Sequence, residues 1–196
     1  MAKYYYEGAE IVTPFSVVSN EPHFDMTTVS LKTQRASQGY QRWELSFNTV
    51  NTSSTAVDAL LAAVDGIDSS RTFTMPQIVD HTLSTTPTLQ GAENAGDSHF
   101  VVDLSSATGV LPKGSFIKFS NHNKVYITTM DADFSPSTGS LQVNIYPSLV
   151  ANISSANTLD IAPDLSYYVD IDNQQGITFS DGVLSSAGTI NLIEAI

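Results

Sequence analysis

The stretch VLPKGSFIKFSNHNKVYITTMDADFSPSTGSLQVNIYPSL, residues 110–149, carries three segments with the spacing of β-strands. Phe116, Ile117 and Phe119 make the first, and residues 124–129 (KVYITT) the second. In the third, Leu141, Val143 and Ile145 alternate with Gln142, Asn144 and Tyr146, the period-two pattern of a half-buried strand. Pro112-Lys113-Gly114 is turn chemistry ahead of the first segment, and Asn121-His122-Asn123 is a polar turn between the first and second. Residues 131–140 (DADFSPSTGS) are rich in Pro, Gly and Ser, which predicts an exposed hairpin tip holding Asp131, Asp133, Phe134 and Ser135. Physical chemistry alone takes this stretch to a small antiparallel β unit.

Working outward, residues 99–104 (HFVVDL) and 157–161 (NTLDI) add two strands, for five between His99 and Pro163. Five short antiparallel strands are the inventory of a small barrel like the oligonucleotide/oligosaccharide-binding (OB) fold. Ahead of them, residues 77–98 lose all hydrophobic period and read as a connector.

The flanks have a different character. Tyr4, Tyr5 and Tyr6 open an extended N-terminus, either a clasp on a neighbouring subunit or aromatic packing within the chain, and residues 11–13 before Pro14 suit a short edge strand. Residues 26–32 and 40–47 read as two strands joined by a turn at 34–39, with Trp43, Leu45 and Phe47 on one buried face. That company makes Trp43 a core residue in preference to a sugar-stacking platform. The spacing of Val57, Leu60, Leu61 and Val64 predicts one short amphipathic helix over 54–66, capped by Ser or Thr at its start and Gly66 at its end. Strands follow at 71–75, 167–171, 177–179 and 189–193, the last three completing the sheet begun before Met75. The expected architecture is mainly β: a split domain, 1–84 with 164–196, carrying an inserted OB-like β-barrel at 85–163.

Eight Lys and Arg stand against twenty Asp and Glu, a net charge of −12. Tight binding to nucleic-acid phosphates needs clustered cations and is not expected. The absence of cysteine rules out disulfides, thiol catalysis and Cys-ligated zinc. No run approaches the ~20 apolar residues of a membrane span, and the N-terminus lacks a signal-peptide core, so synthesis in a cytoplasm and no membrane partner are expected. Neither a nucleophile with its base, nor a phosphate loop, nor metal-ligand spacing occurs. The pairs Asp131/Asp133 and Asp170/Asp172 suit solvated turns, with a weak Ca²⁺ site as the alternative. His23, His81, His99 and His122 are scattered and read as turn or surface residues. No catalytic residue, cofactor or metal is expected.

Residues 113–149, with SNHNKVY turning into a strand and an alternating strand ending in Tyr146-Pro147-x-Leu149, resemble the distal tail protein of siphophages infecting Gram-negative bacteria. Thr74-Met75-Pro76-Gln77 and the Leu192-Ile193-Glu194 tail agree with it loosely. The resemblance implies a structural virion protein of the tail tip or baseplate. It implies a homo-hexameric ring built by the split domain, a β-sandwich with a helix, while the barrel projects outward. The implied partners are further copies of the chain, the tail tube protein and the baseplate hub or other tail-tip proteins, with DNA only as cargo. A different class of function is a carbohydrate-binding or host-adhesion module, with Tyr126, Tyr146 or Phe134 stacking on sugar.

Overall fold

The computed structural model describes residues 4–6, 9–49, 71–78, 80–170, 172, 178–180, 183–186 and 188–196. The helix expected over 54–66 lies outside the described residues. The chain is mainly β and divides into two compact units, Met1–Arg71 with Tyr167–Glu194, and Thr72–Ser166 with Ala195–Ile196. In chain order the strands of the first pass are β1 (Tyr5–Tyr6), β2 (Ala9–Asn20), β3 (His23–Thr27), β4 (Thr33–Ser37) and β5 (Arg42–Thr49). The second unit follows with β6 (Arg71–Thr74), β7 (His99–Asp103), a 3-10 turn at Leu104–Ser106, β8 (Val110–Leu111), β9 (Phe116–Phe119), β10 (Val125–Thr128), β11 (Ala132–Asp133), β12 (Ser140–Tyr146) and β13 (Leu159–Asp160). The return is made by β14 (Asp164–Val169), β15 (Thr178–Ser180), β16 (Val183–Ser186) and β17 (Ile190–Glu194).

In the first unit the sheet runs β1-β2-β5-β17-β14. Alternation decides its faces. Trp43, Leu45, Phe47 and Thr49 of β5 are buried, as are Ile190 and Leu192 of β17, whereas Arg42, Glu44 and Ser46 are half-buried on the opposite side. Burying each large apolar side chain contributes ~1.5–3 kcal/mol. Glu194 is also buried, and its Oε2 accepts the backbone N–H of Trp43 at 3.0 Å. The strand expected at 11–13 is far longer. β2 continues through Pro14 because its register on β5 shifts between Val12 and Ser16, a bulge-like break that removes the need for a proline donor. β14 and β17 join the same sheet as β5, as the tail pattern predicted, but the strand expected at 177–179 does not: β15 pairs with β16 in a separate two-stranded ribbon.

The turn expected at 34–39 is instead the strand β4, paired residue for residue with β3 from His23↔Ser37 to Thr27↔Thr33. All ten residues of this hairpin are exposed, and β4 (TQRAS) carries no polar–apolar alternation that would mark it as a strand in sequence.

In the second unit a five-stranded antiparallel sheet runs β13-β9-β10-β12-β7 and stays open between its edge strands. The connector is not idle there. Thr88 bridges to Thr158 beside β13, and Leu89 bridges to Val102 of β7, so one short segment touches both edges. Its core holds Phe100, Val102, Ile117, Phe119, Tyr126, Val143 and Ile145 with Leu89, Leu111, Ala132 and Phe134. Residues 131–140 are not a free tip throughout, because β11 pairs with β8 through Ala132↔Leu111 and Asp133↔Val110. Ala132 and Phe134 thereby enter the core, and only 135–140 are continuously exposed. β6 lies beside the first half of β14, where Met75 N–H donates to Pro163 O at 3.0 Å and the Thr74 hydroxyl to Asp164 Oδ1 at 2.6 Å.

Candidate functional site

The surface that stands out physically is the β3–β4 hairpin. Residues opposite each other in an antiparallel pair share a face. One face therefore carries Phe24 against Ala36 and Met26 against Gln34, and the other His23, Asp25, Arg35 and the two threonines. Phe24 and Met26 are 66% and 61% exposed, and at the tip Val29 and Leu31 project fully or nearly so. The charged face is internally satisfied: Asp25 pairs with Arg35 Nε at 2.9 Å and lies 3.3 Å from His23 Nε2. The tip closes through Thr28 N–H to Lys32 O at 3.0 Å and Leu31 N–H to Thr28 O at 2.8 Å. Leu31 sits at φ 60, a left-handed conformation that costs a side-chain-bearing residue ~1–2 kcal/mol. Among the described residues, large exposed hydrophobics concentrate in this half of the chain, at Tyr5, Val12, Val18, Phe24, Met26, Val29, Leu31 and Tyr40. An apolar hairpin face left in solvent is a candidate interaction surface.

A second feature lies on the outward face of the first unit's sheet. Two cross-strand rows, Val18–Glu44–Ile193 and Ser16–Ser46–Asn191, run over β2, β5 and β17. With Asp170 they line a groove of about 200 Å³. Glu44 Oε1 is held by Asn20 Nδ2 at 2.7 Å and Arg42 Nε at 3.0 Å.

The tyrosines expected to form an arm divide by alternation. Tyr6 is buried edge-on against Phe47 at 5.2 Å and near Tyr167 at 6.0 Å, so it is a core residue and not part of a clasp. Tyr4 packs on Phe15 at 5.3 Å, and Tyr5 alone points to solvent. At the tip predicted in the second unit, Asp131, Asp133 and Ser135 are exposed, but Phe134 is fully buried and presents no ring. Asp131 Oδ1 accepts the Lys113 N–H at 2.7 Å. Asp133 Oδ1 accepts both the hydroxyl and the N–H of Ser135, which hold its carboxyl below the usual carboxylate range.

Of the proposed stacking groups, Tyr126 is fully buried and Tyr146 half-buried. The Tyr126 hydroxyl accepts the Val150 N–H at 3.1 Å and lies 2.7 Å from His122 Nε2, while His122 Nδ1 is 2.8 Å from Asn121 Oδ1. A neutral ring satisfies all three contacts, with Nδ1 donating and Nε2 accepting. Burial first, then Lys118 and Lys124, lowers the His122 pKa below its ordinary 6.5 and favours that neutral form. Trp43 is buried, as its strand neighbours predicted. Among the described residues no group of three or more His, Asp or Glu is placed to hold a metal ion. No protein-family model matches the chain, and no curated protein sequence does either.

The sequence reading missed the hairpin. The signal was present in His23, Phe24, Asp25, Met26 and Thr27, which alternate polar and apolar, but a solvent-facing apolar stripe looks the same in sequence as one facing a core.

Proposed function

We propose that this chain is a structural subunit of the tail tip of a long-tailed bacteriophage, a distal tail protein that closes a ring of six copies between tail tube and baseplate. The observation that carries this reading is the amphipathic β3–β4 hairpin, whose Phe24, Met26, Val29 and Leu31 have no apolar surface to cover within their own pair of strands. A two-stranded hairpin in water is marginal by itself and gains stability on a partner's surface. The likeness of residues 113–149 to siphophage distal tail proteins names the kind of assembly. In this reading the first unit is a β-sandwich that forms the ring. The second is an OB-like barrel, supported by five antiparallel strands whose edges are both touched by Thr88 and Leu89. A net charge of −12 suits a conduit through which DNA passes as cargo without adhering. The neighbours are the tail tube protein on one side and the baseplate hub or other tail-tip proteins on the other. The protein is made in the host cytoplasm and ends in the virion.

The test is the mass of the purified chain by light scattering across a concentration series, with negative-stain electron microscopy. The expected result is a closed oligomer of six times the 21.1 kDa chain mass, visible as rings. A monomer at every concentration refutes the proposal.

A further inference from the structure

Resting on the ring reading, we infer which two surfaces meet: the tip of the β3–β4 hairpin of one copy seats in the Val18–Glu44–Ile193 groove of the next. The occupant is a second copy of this chain, and the contact is head to tail.

Three observations converge on this pairing. The first is charge. Residues 21–38 hold two acids, Glu21 and Asp25, and two bases, Lys32 and Arg35, so the whole net charge of −12 lies on the rest of the chain. This segment therefore adds no net repulsion to a contact between two copies. Lys32 adjoins the apolar tip, and the groove is bordered by Asp170 and by Glu44, which Arg42 already pairs, so the seated tip brings a cation toward Asp170.

The second is size and chemistry. A groove of about 200 Å³ is below the roughly 300–1,000 Å³ of sites that enclose a small-molecule ligand. It suits one or two side chains. Val18, 52% exposed, and half-buried Ile193 offer aliphatic walls, and Val29 and Leu31 are the aliphatic side chains most exposed on the hairpin.

The third is geometry. Leu31 is held at φ 60 with its side chain 85% exposed, in a conformation where glycine or asparagine is ordinary. A strained, projecting leucine at a turn has no use inside its own hairpin and acquires one when it fills a partner's groove. In a ring each copy gives its tip to one neighbour and its groove to the other, so the contact is heterologous. Such contacts propagate around an axis and close into a ring when the rotation allows.

The experiment uses three full-length chains: wild type, a tip variant carrying Val29→Asp and Leu31→Asp, and a groove variant carrying Val18→Lys. All three positions are solvent-exposed, and circular dichroism checks that each variant keeps the wild-type spectrum. The expected result by sedimentation equilibrium is an assembled wild type and two monomeric variants. An equimolar mixture of the variants should reach dimer and stop, since one intact tip and one intact groove remain per pair. A second arm exploits the absence of cysteine. Val18→Cys with Leu31→Cys in one chain, treated with a short bismaleimide, should give a ladder of linked copies on a denaturing gel.

The outcomes separate the claims. A wild type that is monomeric overturns the ring and this contact together. A wild type that assembles alongside an equally assembled tip variant overturns the contact and leaves the ring standing. A dimer from Leu31→Cys alone, with no ladder from the pair, shows tip meeting tip and overturns the head-to-tail arrangement.

Discussion

Replacing Gly109 by alanine tests the packing of the second unit at one atom. Gly109 adopts φ +105, and a Cβ placed there lies 2.3 Å from the Thr82 carbonyl oxygen and 2.8 Å from its carbon. Real Cβ atoms do not approach backbone below 3.0 Å, so one of the two segments must move. Neither is loose. Thr82 N–H donates to Val110 O at 3.1 Å, Val110 N–H donates to Thr82 Oγ1 at 3.0 Å, and Phe134 N–H donates to Gly109 O at 2.9 Å. Gly139, at φ +96 with nothing within 4 Å of the same imagined atom, is the matched control, since it shares the backbone strain and lacks the collision. Strain alone costs ~1–3 kcal/mol. Displacing Thr82 adds the weakening of two or three hydrogen bonds at ~0.5–1.5 kcal/mol each. Gly139→Ala is therefore expected to destabilise by ~1–3 kcal/mol, and Gly109→Ala by a further ~2 kcal/mol. Urea unfolding followed by circular dichroism measures both, with Trp43 fluorescence as a separate marker of the first unit. Equal destabilisation of the two variants, within about 0.5 kcal/mol, refutes the steric reasoning.

Leu31→Asn relieves the left-handed strain at the hairpin tip while removing its apolar side chain. The variant should be at least as stable as wild type to urea yet lose self-association, and a drop in stability would show that Leu31 is structural. His122 is held below its ordinary pKa of 6.5, so the unfolded chain binds more protons in the range just beneath that value. Stability should be full above about pH 6.5, decline as the pH falls below it, and level off once the folded imidazole is itself protonated. His122→Gln should flatten that slope, and an unaltered slope would place its origin elsewhere. Glu194→Ala leaves the buried Trp43 N–H without its carboxylate acceptor and should cost ~1–3 kcal/mol, with Glu194→Gln milder because an acceptor oxygen remains. Equal losses in the two variants, read by urea unfolding, would contradict that account.

Much of the second unit was legible because its strands are one-sided. Val143 and Ile145 face a core while Gln142 and Asn144 do not, and the period of two survives in the letters. The same rule recovered the Trp43 face of β5. It failed at residues 131–140, where Ala132 and Phe134 alternate with aspartates inside a run dominated by Ser, Pro and Gly, so two buried positions were read as loop. It failed again at 34–37, since a strand whose every residue meets solvent leaves no burial pattern. Pro14, unable to donate to a ladder, predicts the end of a strand, but β2 passes it by shifting register. Of the residues expected at contact surfaces, Tyr6 and Phe134 went to cores, because a large ring beside a half-built apolar cluster gains more from burial than from display. The hairpin surface escaped for the converse reason. Only three-dimensional pairing reveals that Phe24 and Met26 have nothing of their own to cover.

The bond between Trp43 and Glu194 joins residues 151 positions apart, and the seam between β5 and β17 is of similarly long range, from Ile190↔Phe47 to Ile193↔Glu44. The second unit needs no such wait, since β7, β9, β10 and β12 lie within one continuous run of chain. Contacts of short span form early, and those of long span form late. On a ribosome the second unit can therefore assemble while β5 still shows one bare edge beside Trp43, Leu45 and Phe47. Until the last strand is synthesised, that edge is free to recruit the wrong strand, including the same strand of another nascent copy. The order in which the chain is made thus sets its period of greatest danger, and a chaperone with affinity for apolar strand edges would act on residues 42–49 in that interval.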